Sequence, residues 1–277
     1  MYKITKVINN NFICSVNEKG EEVILRGPGI GFGKKANDLV AEDKIEKIYS
    51  MTSQIALSKL QSLVADIPLT HVEVCTEIIE KIKKDLGKQL NDNIYITLTD
   101  HLNFAIERQR MDQEYANAIL WEIKKFYPLE FKMGLQALDI VKEKLGVTLK
   151  EDEAGFIALH IVNSELDTNM NEMVQITNLI QDILEITKNY YKIEFDEDSL
   201  HFSRFITHLK YFGQRIYHNK KVKDNDFHLQ KIIKTNYSKD YKCAELIQNY
   251  VKDKYHQELT GEEMMFLTLH LKRISFE

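Results

Sequence analysis

The chain has 277 residues, 44% of them hydrophobic and 29% charged, with a formal net charge of −5. That length allows two or three domains with cores of their own, and no apolar run approaches the roughly 18 residues that span a bilayer. Cys14, Cys75 and Cys243 lie far apart with no C-x-x-C, which argues against disulfides and zinc, and "MYKITKVINNNF" lacks an apolar signal core. The expectation is a cytoplasmic protein without membrane insertion.

Residues 1–56 carry 8 Lys/Arg and 7 Asp/Glu, residues 57–170 carry 13 and 19, and residues 171–277 carry 16 and 16. No segment is basic enough to hold nucleic acid by charge alone, so such binding requires a small, shaped site. Five of the eleven glycines occur by residue 33. This predicts a turn-rich N-terminal piece followed by a long helical remainder.

In chain order, "YKITKVI" (2–8) and "FICSV" (12–16) are β-branched and aromatic runs separated by three asparagines. "NEKG" is a turn into "EVILR" (22–26), and "LV" (39–40) and "KIEKIYS" (44–50) follow a glycine loop. The piece reads as four short antiparallel strands. A sheet this small is marginal by itself, so oligomerisation is expected.

The loop, "GPGIGFGKK" (27–35), fails both nucleotide templates. As a P-loop it has Pro28 for the first glycine and Lys35 for the hydroxyl. As a dinucleotide turn it has Phe32 or Lys34 where the third glycine belongs. Phe32 sits at the tip between two glycines, where it is hard to make core. Asn9, Asn10 and Asn11 bring amides that suit base edges, and Lys6, Lys34 and Lys35 bring charge for phosphates. An aromatic face, amides and a few lysines on a small sheet suit RNA. A plain surface loop with a structural asparagine turn, and Phe32 in a dimer seam, remains the alternative from composition.

The remainder contains a duplication. "HLNFAIER" (101–108) matches "HLKYFGQR" (208–215), and "VKEKLGVTLKEDEAGFIALHI" (141–161) aligns without gaps to "VKDKYHQELTGEEMMFLTLHL" (251–271). Two homologous domains of about 105 residues therefore follow one another. Val72, Cys75, Ile79, Ile82 and Leu86 step by three and four, as do Ile176, Leu179, Ile180 and Ile183, so the domains are helical bundles. Each presents two histidines from different helices, His101 with His160 and His208 with His270. Neither a metal motif nor a serine or cysteine nucleophile accompanies them, so no cofactor, metal or enzymatic activity is expected. Neutral imidazole is suited to accepting a phosphoryl group and giving it up again. His71, His201, His218, His228 and His256 fall outside the repeat and read as structural or exposed.

These blocks resemble a known family. "KITKVINNNFICSVNEKGEEVILRGPGIGFGKK" is similar to the RNA-binding domain of BglG/SacY/LicT-type transcriptional antiterminators, and the duplicated histidine blocks resemble that family's phosphotransferase-regulation domains. The resemblance covers essentially the whole chain and is closest to the LicT branch, which controls β-glucoside use. It implies a multidomain protein: a small antiparallel β-sheet RNA-binding domain (1–56), a linker (57–66), and two homologous all-α regulatory domains (67–170 and 171–277). It also implies a homodimer that stabilises a messenger RNA hairpin overlapping a terminator, through Lys6, Asn9, Asn11, Gly29 and Phe32. His101, His160, His208 and His270 become the phosphorylation sites. The partners implied are the carrier HPr, which activates through the second domain, and a sugar-specific enzyme II, which inhibits through the first. Pro28 departs from the family pattern and puts that one contact in doubt. A histidine-phosphotransfer protein without an RNA role is the alternative. A DNA-binding activator would need an N-terminal helix-turn-helix where this chain is strand-patterned.

Overall fold

The computed structural model describes residues 1–277 except 52, 114, 219–226 and 276–277, and the side chains of 227–229 also lie outside the description. It divides into two compact units, Met1–Asp167 and Thr168–Glu277.

The first unit begins with β1 (Tyr2–Val7), β2 (Phe12–Val16), β3 (Glu22–Arg26), β4 (Leu39–Val40) and β5 (Lys47–Ser50). They form one antiparallel sheet in the order β4-β1-β2-β3-β5. Five strands stand where the sequence predicts four. The extra one is β4, whose two residues pair Val40 with Tyr2 and Leu39 with Lys3. The run beginning at residue 44 also shortens, because Glu42–Lys44 wind into a 3-10 turn before β5.

One face of the sheet closes over Ile4, Ile13, Val23, Leu25, Ile30 and Val40. The opposite face carries Phe12, Cys14, Ile24 and Tyr49, also buried. That second burial comes from helices. Tyr49 meets the Thr76 hydroxyl at 2.9 Å and the Tyr95 ring edge-on at 5.4 Å, and Lys47 pairs with Glu80 at 2.5 Å. A sheet too small to be stable alone is thus covered by helices of the same unit.

Six helices complete the first unit: α1 (Gln54–Asp66), α2 (Leu69–Leu86), α3 (Ile94–Arg110), α4 (Leu120–Phe126), α5 (Pro128–Leu145) and α6 (Glu151–Leu166). Residues 57–66, read from the sequence as a linker, lie inside α1. Ser53 caps this helix by accepting from the Ala56 amide, and Ala56, Leu57, Leu60 and Val64 form its buried stripe. The helix packs on β3 and α3. The predicted stripe on α2 buries Val72, Cys75, Ile79 and Ile82, and leaves Leu86 half-buried at the end, before Gly87 in the left-handed conformation.

The second unit comprises α7 (Met170–Tyr191), α8 (Leu200–His218), α9 (Phe227–Asn236), α10 (Ser238–Tyr255) and α11 (Gly261–Ile274). Ile176, Leu179, Ile180 and Ile183 are wholly buried on α7. Among the histidines set aside by the sequence, His71 is buried and bonded to Asn103 at 2.7 Å. His201 and His218 are half-buried, and His256 is exposed. The side chain of His228 lies outside the described residues.

Candidate RNA surface and histidine pairs

The asparagine turn and the glycine loop are stitched into one surface. The Asn9 side-chain oxygen accepts from the Asn11 and Phe12 amides at 2.9 and 3.0 Å, closing the β1–β2 turn. The Asn11 side-chain oxygen accepts from the Gly29 amide at 3.0 Å, and the Asn10 carbonyl accepts from the Gly31 amide at 2.9 Å. Glycine is required twice here. Gly29 has φ of +62°, and a Cβ at Gly31 would stand 2.3 Å from the Asn9 carbonyl oxygen. Between them Ile30 turns down into the core at 2% exposure, while Phe32 turns outward at 74%. An aromatic ring this exposed, on a backbone this constrained, is a rigid stacking face.

The expected contact residues do not share one status. Lys6, Gly29 and Phe32 are exposed, and Asn11 is half-buried with its side-chain oxygen committed to the loop. Asn9 is half-buried, its oxygen taken by the turn and one N–H of its nitrogen donated to the Val64 carbonyl at the end of α1, 2.8 Å away. Asn10 is the exposed member of the three.

The histidine pairs form as the repeat implies. The rings of His101 (α3) and His160 (α6) lie 5.0 Å apart, and those of His208 (α8) and His270 (α11) lie 4.2 Å apart. His160 and His270 are buried, and burial first, then the neighbouring histidine, pushes their pKa values down to about 3 and about 4. Both are therefore neutral near pH 7, with a lone pair available.

Under each pair lies a feature that sequence reasoning missed. Arg108 stands seven residues after His101 on α3, and Glu153 seven before His160 on α6. Their side chains bond at 2.6 Å, both nearly buried. Arg215 and Glu263 repeat this at the same offsets on α8 and α11. The signal was present, since both arginines and both glutamates fall inside the duplicated blocks, two helical turns from a histidine. Burial of the Arg215 guanidinium lowers its pKa, and burial raises that of Glu263.

The two sites differ in detail. Glu153 brings its second oxygen to 3.0 Å from His101 Nε2. Glu263 turns its second oxygen back to its own helix start, accepting from the Thr260 amide and hydroxyl at 2.9 and 3.1 Å in a capping box. In the second unit an apolar pocket of about 240 Å³, lined by Phe205, Tyr211, Phe212 and Phe266, opens onto His208, His270 and Arg215. In the first, Tyr115 packs 6.4 Å from the Phe156 ring and 5.1 Å from the Arg108 guanidinium. Among the described residues no cluster of His, Cys, Asp and Glu is arranged to hold a metal.

Comparison with known proteins finds two kinds of module in the chain. The CAT RNA binding domain family matches residues 2–56, and the PRD domain family matches residues 76–164 and 181–274. Transcription antiterminator LicT of Bacillus subtilis (strain 168) is 47% identical over 98% of this chain and 98% of its own length. The Beta-glucoside operon antiterminator of Dickeya chrysanthemi is 42% identical over 99% and 97%. Among solved structures, GlcT CAT-PRDI superposes with a TM-score of 0.53 at 34% identity, over 59% of this chain and 98% of that one.

Proposed function

Since the chain belongs to the family of transcription antiterminators that join a CAT RNA binding domain to two PRD domains, we propose that it grips an mRNA hairpin with the loop around Phe32 and is switched by phosphoryl transfer to its histidine pairs. It is an RNA-binding regulator of transcription rather than an enzyme. The hairpin overlaps a terminator, so holding it folded lets transcription continue into the operon. The name of the Dickeya relative supports a β-glucoside operon as the target.

The observation that carries the RNA reading is Phe32, 74% exposed on a loop fixed by backbone bonds to the asparagine turn. Its ring offers a face to an unpaired base, with Asn10 and Asn11 beside it and Lys6 for phosphate. Asn9 orders that turn, with one of its two amide N–H groups already bonded to the Val64 carbonyl.

The regulatory half rests on the histidine pairs. A neutral imidazole accepts a phosphoryl group through its lone pair, and the product adds about −1.5 to −2 charges near pH 7, by analogy with other phospho-residues. The donors are HPr for His208 and His270, which activates, and a sugar-specific enzyme II for His101 and His160, which inhibits. Residues 57–170 are already acidic, with 19 Asp/Glu against 13 Lys/Arg, so added charge at a packed seam there repels. Residues 171–277 are balanced at 16 and 16, and an added charge finds cationic partners. The switched state is a homodimer acting on nascent transcripts in the cytoplasm. Driving a dimer equilibrium from 1:99 to 99:1 takes about 5.5 kcal/mol, within reach of one half-buried charge per subunit.

A terminator-read-through reporter tests the RNA half, with the full chain and its Phe32→Ala variant. Read-through that depends on the chain and falls with Phe32→Ala supports the reading. Equal read-through with and without the chain removes it.

A further inference from the structure

The two histidine sites are built alike and yet bind their carboxylates differently, and the difference coincides with a change of residue at one aligned position. α11 starts from Thr260, which holds the second oxygen of Glu263 in a capping box. α6 starts from Lys150, aligned with Thr260, and a lysine side chain has no acceptor or hydroxyl with which to close such a box. Glu153 keeps one oxygen on Arg108 and is left with the other, which stands 3.0 Å from His101 Nε2. The contact is close in distance, an ion-pair separation rather than a formed hydrogen bond. Both atoms are buried and neither has a hydrogen-bond partner, so a small rotation of the ring satisfies both. The ring has room for it, because His101 keeps 16% of its side-chain surface in solvent. His208 is exposed and has no carboxylate partner among the described residues, because Glu263 is taken up by Arg215 and Thr260.

We propose that the residue at the N-cap of the second histidine's helix, Lys150 or Thr260, decides whether the domain's first histidine is held by a carboxylate, and so which ring nitrogen of His101 accepts a phosphoryl group. The proposal deepens the reading of these histidines as phosphoryl acceptors and rests on it. With the Glu153 carboxylate beside Nε2, a single ring proton belongs on Nε2 and the lone pair on Nδ1. A phosphoryl group on Nε2 would meet the Glu153 carboxylate as a like charge. Nδ1 is thus the acceptor. Glu153 and Lys150 are positioning residues and take no part in bond making.

The test uses the full chain and zwitterionic phosphoramidate, a small donor that needs no carrier. In the transfer the Nδ1 lone pair forms the new N–P bond, the donor's P–N bond breaks, and ammonia leaves with those electrons. The ring, now cationic, keeps its Nε2 proton against Glu153. Long-range 1H–15N spectra read the tautomer before reaction, and phosphorus–nitrogen couplings afterwards read the isomer formed. The wild type is expected to show His101 as a single Nε2–H tautomer that yields only the Nδ1 isomer. Lys150→Thr should draw Glu153 into a capping box, leaving both tautomers populated and both isomers formed in comparable amounts. Lys150→Ala, which supplies no hydroxyl, should behave as the wild type. Position 150 is exposed, so neither change disturbs the core. An Nδ1–H tautomer in the wild type, or a Lys150→Thr variant indistinguishable from it, overturns the proposal. Tautomers that respond as stated in a chain that neither phosphoramidate nor HPr labels would support the N-cap control while overturning the phosphoryl-acceptor reading beneath it.

Discussion

His160 and His270 lose access to water when the chain folds, and that loss makes stability depend on pH. Their folded pKa values, about 3 and about 4, lie below the ordinary histidine value near 6.5, so the unfolded chain binds protons first as pH falls. The stability tied to these neutral rings is fully present above pH ~6.5 and is lost as pH falls towards 4 and then 3. Denaturant titrations at pH 7 and pH 5 should differ by about 1–2 kcal/mol for each histidine, and His270→Gln should flatten that dependence. A slope unchanged by His270→Gln would mean other groups carry it. At Phe32 the expectation is the opposite kind, function without stability. With the ring 74% exposed, Phe32→Ala should leave the melting temperature within a degree or two. Gel retardation of the hairpin should weaken by about 1–3 kcal/mol, the range for one stacked base.

Between elements, the Arg–Glu pairs tie α3 to α6 and α8 to α11 beneath the histidines. Arg215→Met strands Glu263 as a buried charge and should cost about 3–5 kcal/mol by chemical denaturation. Adding Glu263→Gln, which keeps the capping box and removes the charge, should recover most of it. Two single losses that simply add would show the residues to be uncoupled. These pairs show where the sequence could and could not be read. The histidine pairing was legible because the repeat matches His101 and His160 with His208 and His270 by position, on two helices of each bundle. The arginine–glutamate bonds were in the same blocks, yet a charged pair reads as solvated surface until tertiary packing buries it. β4 carries two residues, too few for an alternation to register. α1 did carry a signal, Ser53 as cap and Ala56, Leu57, Leu60 and Val64 at helical spacing, but its position between two recognised modules made it read as linker. The Asn9 amide illustrates the remaining limit. Composition shows that an asparagine is available, and only the fold shows that its nitrogen is already bonded to Val64.

At the scale of the whole molecule, the two PRD domains should answer mimicry of phosphate with opposite signs. His101→Asp adds charge to an acidic domain and should lower read-through, whereas His208→Asp with His270→Asp should raise it and reduce its dependence on HPr. A carboxylate carries about one charge against nearly two, so both effects should be partial. A reporter strain lacking HPr, scored with dimer content from sedimentation and with alanine controls, reads both. Second-domain aspartates that lower read-through and dimer content would refute the activating role. The three cysteines have a separate use. Cys14 lies in β2, Cys75 in α2 and Cys243 in α10, one thiol in the sheet and one in each histidine-bearing module, and all are buried and unbridged. Burial holds their pKa values up, at about 11, 12 and 12, so the reactive thiolate is scarce even where reagent can reach. Labelling each one must wait for the structure around it to open, and its rate reports the free energy of that local opening. The chain carries three native clocks, and a phosphoryl group or an RNA hairpin that tightens one module and loosens another will slow one while the next runs faster.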